Sequence, residues 1–149
     1  MGDPALISVE PATPADLAAM LTLLEQSGLP QDGLSDHFEG ALLARNGQDI
    51  VGCAAIEIYG QAGLLRSVAV AEAWRGQSLG RRLTEKALTL ARQRGLTELY
   101  LLTETAGDFF PRFGFTPIAR AEVPPAVQQS VEFSTACPAS ALVMRLRLP

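Results

Sequence analysis

A loop of small and basic residues, Arg75-Gly76-Gln77-Ser78-Leu79-Gly80, lies between an apolar segment at 64–70 and a helical pattern at 79–94. The pattern places four apolar residues on one face of the helix: Leu83, Ala87, Leu90 and Ala91. Gly95 ends the helix, and a second apolar segment follows at 99–103. Because a strand–helix–strand connection crosses over one face of a sheet, the segments at 64–70 and 99–103 are predicted to be parallel strands.

The residues before this crossover predict an antiparallel meander. Apolar runs at 41–45 and 49–59 flank Asn46-Gly47, which is a strong hairpin signal. A second turn at 60–63 then leads into the strand at 64–70. The sheet is therefore expected to begin antiparallel and to become mixed after the crossover.

The two ends of the chain add further elements. A short strand at 6–9 precedes a helix that opens at Thr13-Pro14-Ala15-Asp16 and ends at Gly28, and a short helix is predicted around His37. After the crossover, the patterns predict a short helix from Thr105 to about Phe113, a strand at 115–120, an irregular loop with a turn of helix at 121–139 and a last strand at 141–148. The fold class is α/β: a single domain over 1–149 with a mixed sheet of about six or seven strands flanked by helices.

Composition narrows the function classes. The net charge of -4 and the pI of about 5.0 disfavour nucleic acid and anionic membranes as partners. Cys53, Cys137 and the single histidine, His37, show no spacing typical of a metal site, so no metal is predicted. The first residues lack the basic and apolar regions of a signal peptide, and no apolar run reaches the length of a membrane span. A cytoplasmic protein is expected.

The loop at 75–80 has the properties of an anion site. Backbone N–H groups at the start of a helix are unpaired, and the helix dipole adds positive potential there. Gly76 and Gly80 allow the backbone to approach a ligand, and Arg75, Arg81 and Arg82 add positive charge. The loop is neither a P-loop nor a dinucleotide fingerprint, and a solvated turn is the alternative interpretation.

The residues Ser67-Val68-Ala69-Val70, followed by the loop at 75–80, resemble the acetyl-CoA-binding motif of the GNAT superfamily of N-acetyltransferases. That motif reads Gln/Arg-x-x-Gly-x-Gly/Ala after a Val-rich strand. Arg75 and Gly80 match its first and last positions, whereas Ser78 stands where the middle glycine is usual. Residues 106–115, which end in Gly-Phe, resemble a second segment of the family. The resemblance covers about residues 6–120.

Shorter matches indicate two subgroups of the superfamily. Gly52-Cys53-Ala54-Ala55 and Leu102-Thr103 resemble the acyltransferase domain of N-acetylglutamate synthases. The closest resemblance is to the N-acetyltransferases encoded in bacterial arsenic-resistance operons, and three segments carry it: Leu65-Arg66-Ser67, Leu102-Thr103-Glu104-Thr105-Ala106 and Cys137-Pro138-Ala139-Ser140-Ala141. This implies a role in resistance to arsenic or to toxic analogues.

The resemblance implies acetyl-CoA as co-substrate, bound where the sheet splays apart between the strands at 64–70 and 99–103. The pantetheine arm would pair with the backbone of Val68 and Val70, and the pyrophosphate would sit on residues 77–81. Phe109 and Phe110 would flank the pantetheine or the thioester. The implied cofactor-binding residues are Val68, Ala69, Val70, Arg75, Gly76, Gln77, Ser78, Leu79, Gly80, Arg81, Thr103, Phe109 and Phe110.

The implied reaction is direct attack of a neutral amine on the thioester, with the Val68 N–H as the family's usual oxyanion donor. Phe110 occupies the position where many family members carry a tyrosine that acts as general acid. Ser67 is therefore the candidate acid. The alternative is that Ser67 is a small strand residue with no role in catalysis. Glu57, which interrupts an apolar strand, is the candidate base, and Glu104 is the second choice; a solvent-facing Glu57 is the alternative.

The acceptor is expected to be a small, amino-acid-like amine, because an α-amine needs less help from a base than a lysine amine. Arg66 is the candidate for binding a substrate carboxylate, with an outward-facing arginine as the alternative, and Tyr59 and Glu104 are candidate wall residues. A CoA-binding sensor without turnover and a protein N-acetyltransferase remain alternative functions. The resemblance also implies a homodimer, since dimers are common in the family.

Overall fold

The meander predicted from the sequence forms the first half of one mixed sheet. The computed structural model describes residues 6–133, 137 and 140–148. Its seven strands follow the order β1-β2-β3-β4-β5-β7-β6. The strands and helices are β1 Ser8–Pro11, α1 Leu17–Gln26, β2 Ala41–Asn46, β3 Asp49–Tyr59, β4 Ala62–Val70, α2 Leu79–Gln93, β5 Glu98–Thr103, β6 Thr116–Pro117, α3 Pro125–Gln128 and β7 Leu142–Arg147. The predicted α/β class with six or seven strands is confirmed.

The crossover through α2 also has the predicted form. Strands β4 and β5 are parallel, but they pair only where Ala62–Leu64 meets 98–100. Beyond Leu64 and Tyr100 the two strands separate, while β5 stays paired with β7 along its whole length. The sheet is therefore splayed between β4 and β5, and the gap opens toward the carboxyl ends of both strands.

The two faces of the sheet are covered by different parts of the chain. Helix α2 packs on one face, where Ala87 is buried with Ile56 and Leu65. Leu83 of the same helix is buried with Val51 and Ala54. Helix α1 and the 3-10 segment Leu34–Gly40 cover the other face. The segment at 118–133 extends that second layer over β5 and β7. The gap between β4 and β5 consequently connects two separate layers of the protein.

Two sequence expectations after β5 need correction. No regular helix runs from Thr105: the side chain of Thr103, not Thr105, caps the turn by accepting the Ala106 N–H at 2.9 Å, and a 3-10 turn forms at Phe110–Phe113. Pro111 explains this, because proline has no N–H and its ring clashes with the carbonyl four residues earlier, so an α-helix that starts at Thr105 cannot run through it.

The expected strand at 115–120 is reduced to β6, Thr116–Pro117, at the edge of the sheet. Pro117 has no N–H to donate, which suits an edge position and shortens the ladder. The segment at 121–139, expected to be irregular with a turn of helix, contains the one-turn helix α3, and residues 134–136 and 138–139 of it lie outside the described residues. No helix within 6–133 or 140–148 is long and apolar enough to cross a membrane.

Candidate active site

A cavity of about 490 Å³ occupies the gap where β4 and β5 separate. Residues 65–68 of β4 and residues 101–106, which are the end of β5 and the segment after it, form its two long walls. One end is lined by Arg75, Gly80 and the 109–110 pair, and the other by residues 27–30, Glu132 and Cys137. The cavity thus extends from the layer of α2 to the layer of α1 and the 130s segment.

A β-bulge in β4 shapes the middle of this cavity. Cys53 pairs with Ala69 and Ala55 pairs with Arg66, so two residues of β4, at 67 and 68, lie opposite one residue of β3. Ser67 has a φ of 60°, a region that residues other than glycine rarely adopt. Bulges re-aim side chains and disturb the ladder. This one puts Ser67, which is 7% exposed, in the cavity wall.

The loop before α2 and the first turn of that helix form one end of the cavity, where backbone atoms make up much of the wall. Gly76 and Ser78 have φ values of 79° and 67°, and Ser78 is the residue at the N-cap of α2. Gly80 lies in the first turn, where an added Cβ would be 3.7 Å from the Phe109 ring and 3.8 Å from Val70. The N-terminal turn of a 15-residue helix therefore faces the cavity, which favours a bound anion.

The three arginines of this loop have different partners. Arg75 lines the cavity, and its Nε donates to the Val70 carbonyl at 3.0 Å. Arg81 is an exposed partner of Glu85 at 3.4 Å. The side chain of Arg82 donates to the carbonyl of Ile7 at 2.7 Å and ties α2 to the start of the chain. The expected cluster of three arginines around one anion is thus corrected, because Arg82 points to Ile7.

Ser78 offers a test of the loop geometry. A residue with a side chain in the left-handed region costs roughly 1–2 kcal/mol, which glycine avoids at some expense in unfolded-state entropy. We expect Ser78→Gly to raise the free energy of unfolding by about 0.5–1 kcal/mol in urea denaturation. The matched control, Ser35→Gly, changes an exposed serine outside the left-handed region and should lose stability. A loss of stability in Ser78→Gly would contradict the strained conformation.

The structure divides the predicted cofactor-binding residues into three groups. Those lining the cavity are Val68, Val70, Arg75, Gly80, Thr103, Phe109 and Phe110. The side chains of Ala69 and Leu79 are buried in the core instead, so only their backbones are candidates for ligand contact. The remaining positions, Gly76, Gln77, Ser78 and Arg81, belong to the loop around the start of α2. Phe110 packs edge-on against Phe109 and Phe115, which fixes its ring in the wall.

A buried cluster of charges lies at the opposite end of the cavity. The Arg66 side chain has no exposed surface and is placed between two carboxylates. Its Nη1 donates to Glu57 at 2.7 Å, its Nε lies 3.3 Å from Glu132, and its Nη2 donates to the Pro30 carbonyl at 3.2 Å. The Nε also lies 3.1 Å from the Ser67 Oγ. All three guanidinium nitrogens therefore have partners within the protein.

The pKa values of the two carboxyls in this cluster are shifted in opposite directions. Burial tends to raise the pKa of Glu57, but hydrogen bonds from Tyr59, Arg66 and Ser130 outweigh it, so its pKa is lowered. Burial raises the pKa of Glu132 to about 7, because the charge of Arg66 only partly offsets it and the charge of Glu57 adds to it. Burial and the hydrogen bond to Glu57 raise the pKa of Tyr59 to about 12.

These contacts change three expectations for the site. Glu57, the candidate base, does not face solvent: it is fully buried, with one oxygen accepting from Tyr59 and the other from Arg66. Arg66, expected to be open to a substrate carboxylate, is occupied by the protein's own carboxylates. Tyr59 contacts Glu57 and lies 5.7 Å from the His37 ring rather than in the cavity wall. Glu104 is in the wall and exposed.

Glu132 was not singled out by the sequence. It belongs to the segment at 121–139, which has no helical or strand period, and it is 4% exposed in the structure. The one available signal was its position as a lone acidic residue between Val131 and Phe133. Within the part of the chain that the structure describes, no three His, Cys, Asp or Glu side chains group in a way that would hold a metal ion.

Solved structures with this fold contain coenzyme A. N-acetylglutamate synthase from Neisseria gonorrhoeae, complexed with coenzyme A and N-acetyl-glutamate, superimposes with a TM-score of 0.81 at 22% identity, covering 99% of this chain and 36% of that chain. A Mycobacterium tuberculosis protein solved with CoA gives a TM-score of 0.79 at 24% identity, covering 95% of this chain and 99% of that chain. At these identities the likeness shows the fold.

Sequence comparisons add relatives described as N-acetyltransferases. An uncharacterized N-acetyltransferase of Chlorobaculum tepidum is 31% identical over 108 residues, which cover 72% of this chain and 67% of that protein. An amino-acid acetyltransferase of Neisseria meningitidis is 26% identical over 129 residues, covering 80% of this chain and 30% of that protein. This chain thus spans less than a third of that relative. The model of the acetyltransferase (GNAT) family matches residues 7–115.

Proposed function

This chain belongs to the acetyltransferase (GNAT) family, and we propose that it transfers the acetyl group of acetyl-CoA to the amine of a small, amino-acid-like acceptor. The observation that carries the proposal is the cavity between β4 and β5, which ends at the N-terminal turn of α2. An extended pantetheine fits such a gap, because separated parallel strands offer it backbone partners. A pyrophosphate at the helix start would be favoured by the dipole, the loop N–H groups and Arg75.

Four residues of the cavity have roles in binding the cofactor and in stabilising the intermediate in this proposal. The backbone of Val68 and Val70 binds pantetheine, and the Val68 N–H at the bulge stabilises the oxyanion of the tetrahedral intermediate. Phe109 and Phe110 provide an apolar wall that limits water around the thioester. Phe110 cannot donate a proton, so the departing thiolate needs another donor.

We assign that donor role to Ser67. Its Oγ accepts from the Arg66 Nε at 3.1 Å, so its own proton remains available for a different partner. The position in the cavity wall next to Val68 puts the hydroxyl on the strand that lines the reaction centre. A thiol with a pKa of about 8.5 is a tolerable leaving group, so a weak acid suffices.

Two variants separate the Ser67 hydroxyl from the strained backbone at that residue. We expect Ser67→Ala and Ser67→Gly both to lower kcat by at least about tenfold, because both remove the proton donor. Ser67→Gly keeps the positive φ without strain, so it controls for a distorted bulge. Steady-state kinetics measures both. A normal kcat in Ser67→Gly with a reduced one in Ser67→Ala would assign the effect to backbone geometry and remove the hydroxyl from the mechanism.

The amino-acid-like acceptor is the finer part of the proposal. Relatives named amino-acid acetyltransferases support it, at 26% to 38% identity. The acceptor end of the cavity is lined by the loop at 27–30, Glu104, Glu132 and Cys137, which gives it polar and acidic character. An amino acid or a toxic analogue of one, including the arsenic-containing compounds implied by the sequence resemblance, would bring an amine to that end.

A thiol-release assay tests the proposed function. Purified protein and acetyl-CoA are mixed with panels of amino acids, arsenic-containing analogues, polyamines and short peptides. We expect CoA release that depends on one amine class, with amino acids or their analogues the best acceptors. Release with peptides alone would favour a protein N-acetyltransferase. Acetyl-CoA binding without release across the panel would favour a sensor that has lost turnover, consistent with Phe110 at the usual tyrosine position.

A further inference from the structure

We propose that Glu132 receives the ammonium group of the acceptor and takes its proton before the acetyl group is transferred. This inference rests on the proposed function and deepens it, because it names the group that selects the acceptor. It replaces Glu57 as the base expected from the sequence. Glu57 then acts as a positioning residue that fixes Arg66.

The position of the Glu132 carboxyl supports this role. It lines the cavity at the end opposite Arg75 and the start of α2, where the phosphates of the cofactor are expected. The acceptor must therefore enter from the side of Glu132, Cys137 and the loop at 27–30. Glu57 lies behind Arg66 and outside the cavity wall. Of the two carboxyls on Arg66, Glu132 is the one that an amine in the cavity can reach.

The charge of the cluster supports it independently. Arg66 supplies one positive charge to two buried carboxylates, and its shorter contact, 2.7 Å, is to Glu57, which also has the His37 Nε2 at 3.7 Å. The contact to Glu132 is longer, at 3.3 Å, and the remaining nitrogen is bonded to Pro30. An ionised Glu132 therefore leaves one negative charge without full compensation in a buried site, which is costly unless a cation or a proton joins it. An ammonium group is such a cation.

The surroundings of Glu132 determine its titration. The charged and titratable groups that act on it or on its neighbour Cys137 are Arg66 from β4, Glu57 from β3, Glu104 after β5, Arg120 and the Cys137 thiol. Burial, followed by the charge of Glu132, raises the pKa of Cys137 to about 11, so this thiol is neutral near pH 7. With a pKa of about 7, Glu132 can change its protonation state under physiological conditions.

The proton balance favours an α-amine over a lysine amine. Transfer from an α-ammonium, with a pKa of about 7.7–8.0, to a carboxylate with a pKa of about 7 is unfavourable by only about tenfold. Transfer from a lysine ammonium, with a pKa of about 10.4, is unfavourable by more than about 1,000-fold. Glu132 therefore selects acceptors of low basicity, which agrees with an amino-acid-like substrate.

The proposed reaction balances without a further reactant. The ammonium gives one proton to the Glu132 carboxylate, and the amine lone pair then forms a C–N bond to the thioester carbon. The C–S bond breaks, and its electron pair leaves on the CoA sulfur. The second proton leaves the nitrogen for solvent as the amide forms. The thiolate takes up one proton from Ser67, which recovers a proton from solvent, and Glu132 then releases its proton to solvent. The products are the N-acetylated acceptor and CoA.

The test compares Glu132→Gln and Glu132→Asp with wild type across pH 5.5–9, using the best α-amine of the acceptor panel. The amide that Glu132→Gln introduces has the shape of the carboxyl but cannot take a proton. At pH 7.5 we expect Glu132→Gln to lower kcat/KM by about 100-fold and to remove the limb near pH 7 from the kcat/KM profile. Glu132→Asp, which keeps a carboxyl, should recover part of the lost kcat/KM and part of the pH dependence near pH 7. Glu25→Gln, at an exposed carboxylate on α1, is the matched control and should behave as wild type.

The outcomes are distinct. An equal fall in kcat/KM at every pH, with the limb retained, would make Glu132 a structural residue and overturn the proposal. So would an unchanged kcat/KM in Glu132→Gln. Acetyl-CoA affinity, measured by calorimetry, should stay within about twofold of wild type, since Glu132 lies away from the cofactor end. If wild type and Glu25→Gln transfer no acetyl group to any amine, the proposed function fails first and this inference falls with it.

Discussion

Replacing Arg66 with methionine is expected to lower the free energy of unfolding at pH 7.5 by about 3–5 kcal/mol. This is the typical cost of removing one partner of a buried ion pair and leaving the other charge buried. The Arg66 side chain has no exposed surface, and it is the cation that Glu57 and Glu132 share. Methionine fills a similar volume but leaves both carboxylates buried without their partner. Because whole domains are stable by only about 5–15 kcal/mol, this is a large loss.

The stability that Arg66→Met loses is expected to depend on pH. Glu132 already has a pKa raised to about 7 by burial, and removal of Arg66 would raise it further. A carboxyl whose folded-state pKa is raised binds a proton more readily when folded, so it destabilises the fold above that pKa and ceases to do so as the pH falls. The deficit of Arg66→Met should therefore shrink between pH 8 and pH 5.5.

Urea denaturation at several pH values measures this, with two further variants. The double variant Glu57→Gln with Arg66→Met should recover much of the lost stability at pH 7.5, since it removes one uncompensated charge. Arg92→Met, at an exposed position on α2, should change stability by less than about 0.5 kcal/mol. A loss below about 1 kcal/mol in Arg66→Met, with no dependence on pH, would mean that Arg66 does not hold the buried carboxylates.

Gly80→Leu is expected to weaken acetyl-CoA binding by about 10- to 100-fold, the equivalent of an overpacking cost of roughly 1–3 kcal/mol. A Cβ at Gly80 reaches ordinary contact distance from Phe109 and Val70, so any longer side chain must enter the cavity. The same substitution removes a glycine from the first turn of α2, which should raise the free energy of unfolding by about 0.5 kcal/mol. Binding and stability therefore move in opposite directions.

Calorimetric titration with acetyl-CoA and thermal unfolding measure the two effects in the same samples. Gly80→Ala is the matched control: its methyl fits at 3.7 Å from Phe109, so it should keep binding close to wild type and gain similar stability. Equal affinity of Gly80→Leu and wild type would show that the cofactor does not lie along this side of α2. A loss of stability in Gly80→Leu would indicate that the effect on binding comes from a damaged helix.

The parts of the fold that followed from the sequence are those with strong periodicity or turn chemistry. Helix α2 repeats its apolar residues at helical spacing, Gly95 ends it, and Asn46-Gly47 sets the hairpin between β2 and β3. The parallel pairing of β4 and β5 followed from the strand–helix–strand connection through α2, which crosses over one face of the sheet. The splay between these strands came from the family resemblance, since no residue pattern encodes where a ladder stops.

The buried charge cluster did not follow from the sequence because a bulge changes which face each β4 residue occupies. In a regular strand Arg66 would share a face with Val68. The extra residue at Ser67 instead leaves Val68 on the side of α2 and puts Arg66 on the opposite side, with Glu57 and Glu132. A shift of one residue in a strand exchanges its faces, and residues around Glu57 in β3 are apolar on both faces. Alternation therefore carried no information about these side chains.

The most direct measurement of acetyl transfer is mass spectrometry of an amine acceptor after incubation with acetyl-CoA and the purified protein. The proposed function predicts an acceptor heavier by one acetyl group, with one CoA released per acetylated molecule. The product should disappear with the transfer-deficient Glu132→Gln at short times and reappear at long ones. Free acetate with an unmodified acceptor, or unchanged acetyl-CoA across the whole panel, would contradict N-acetyl transfer at this cavity.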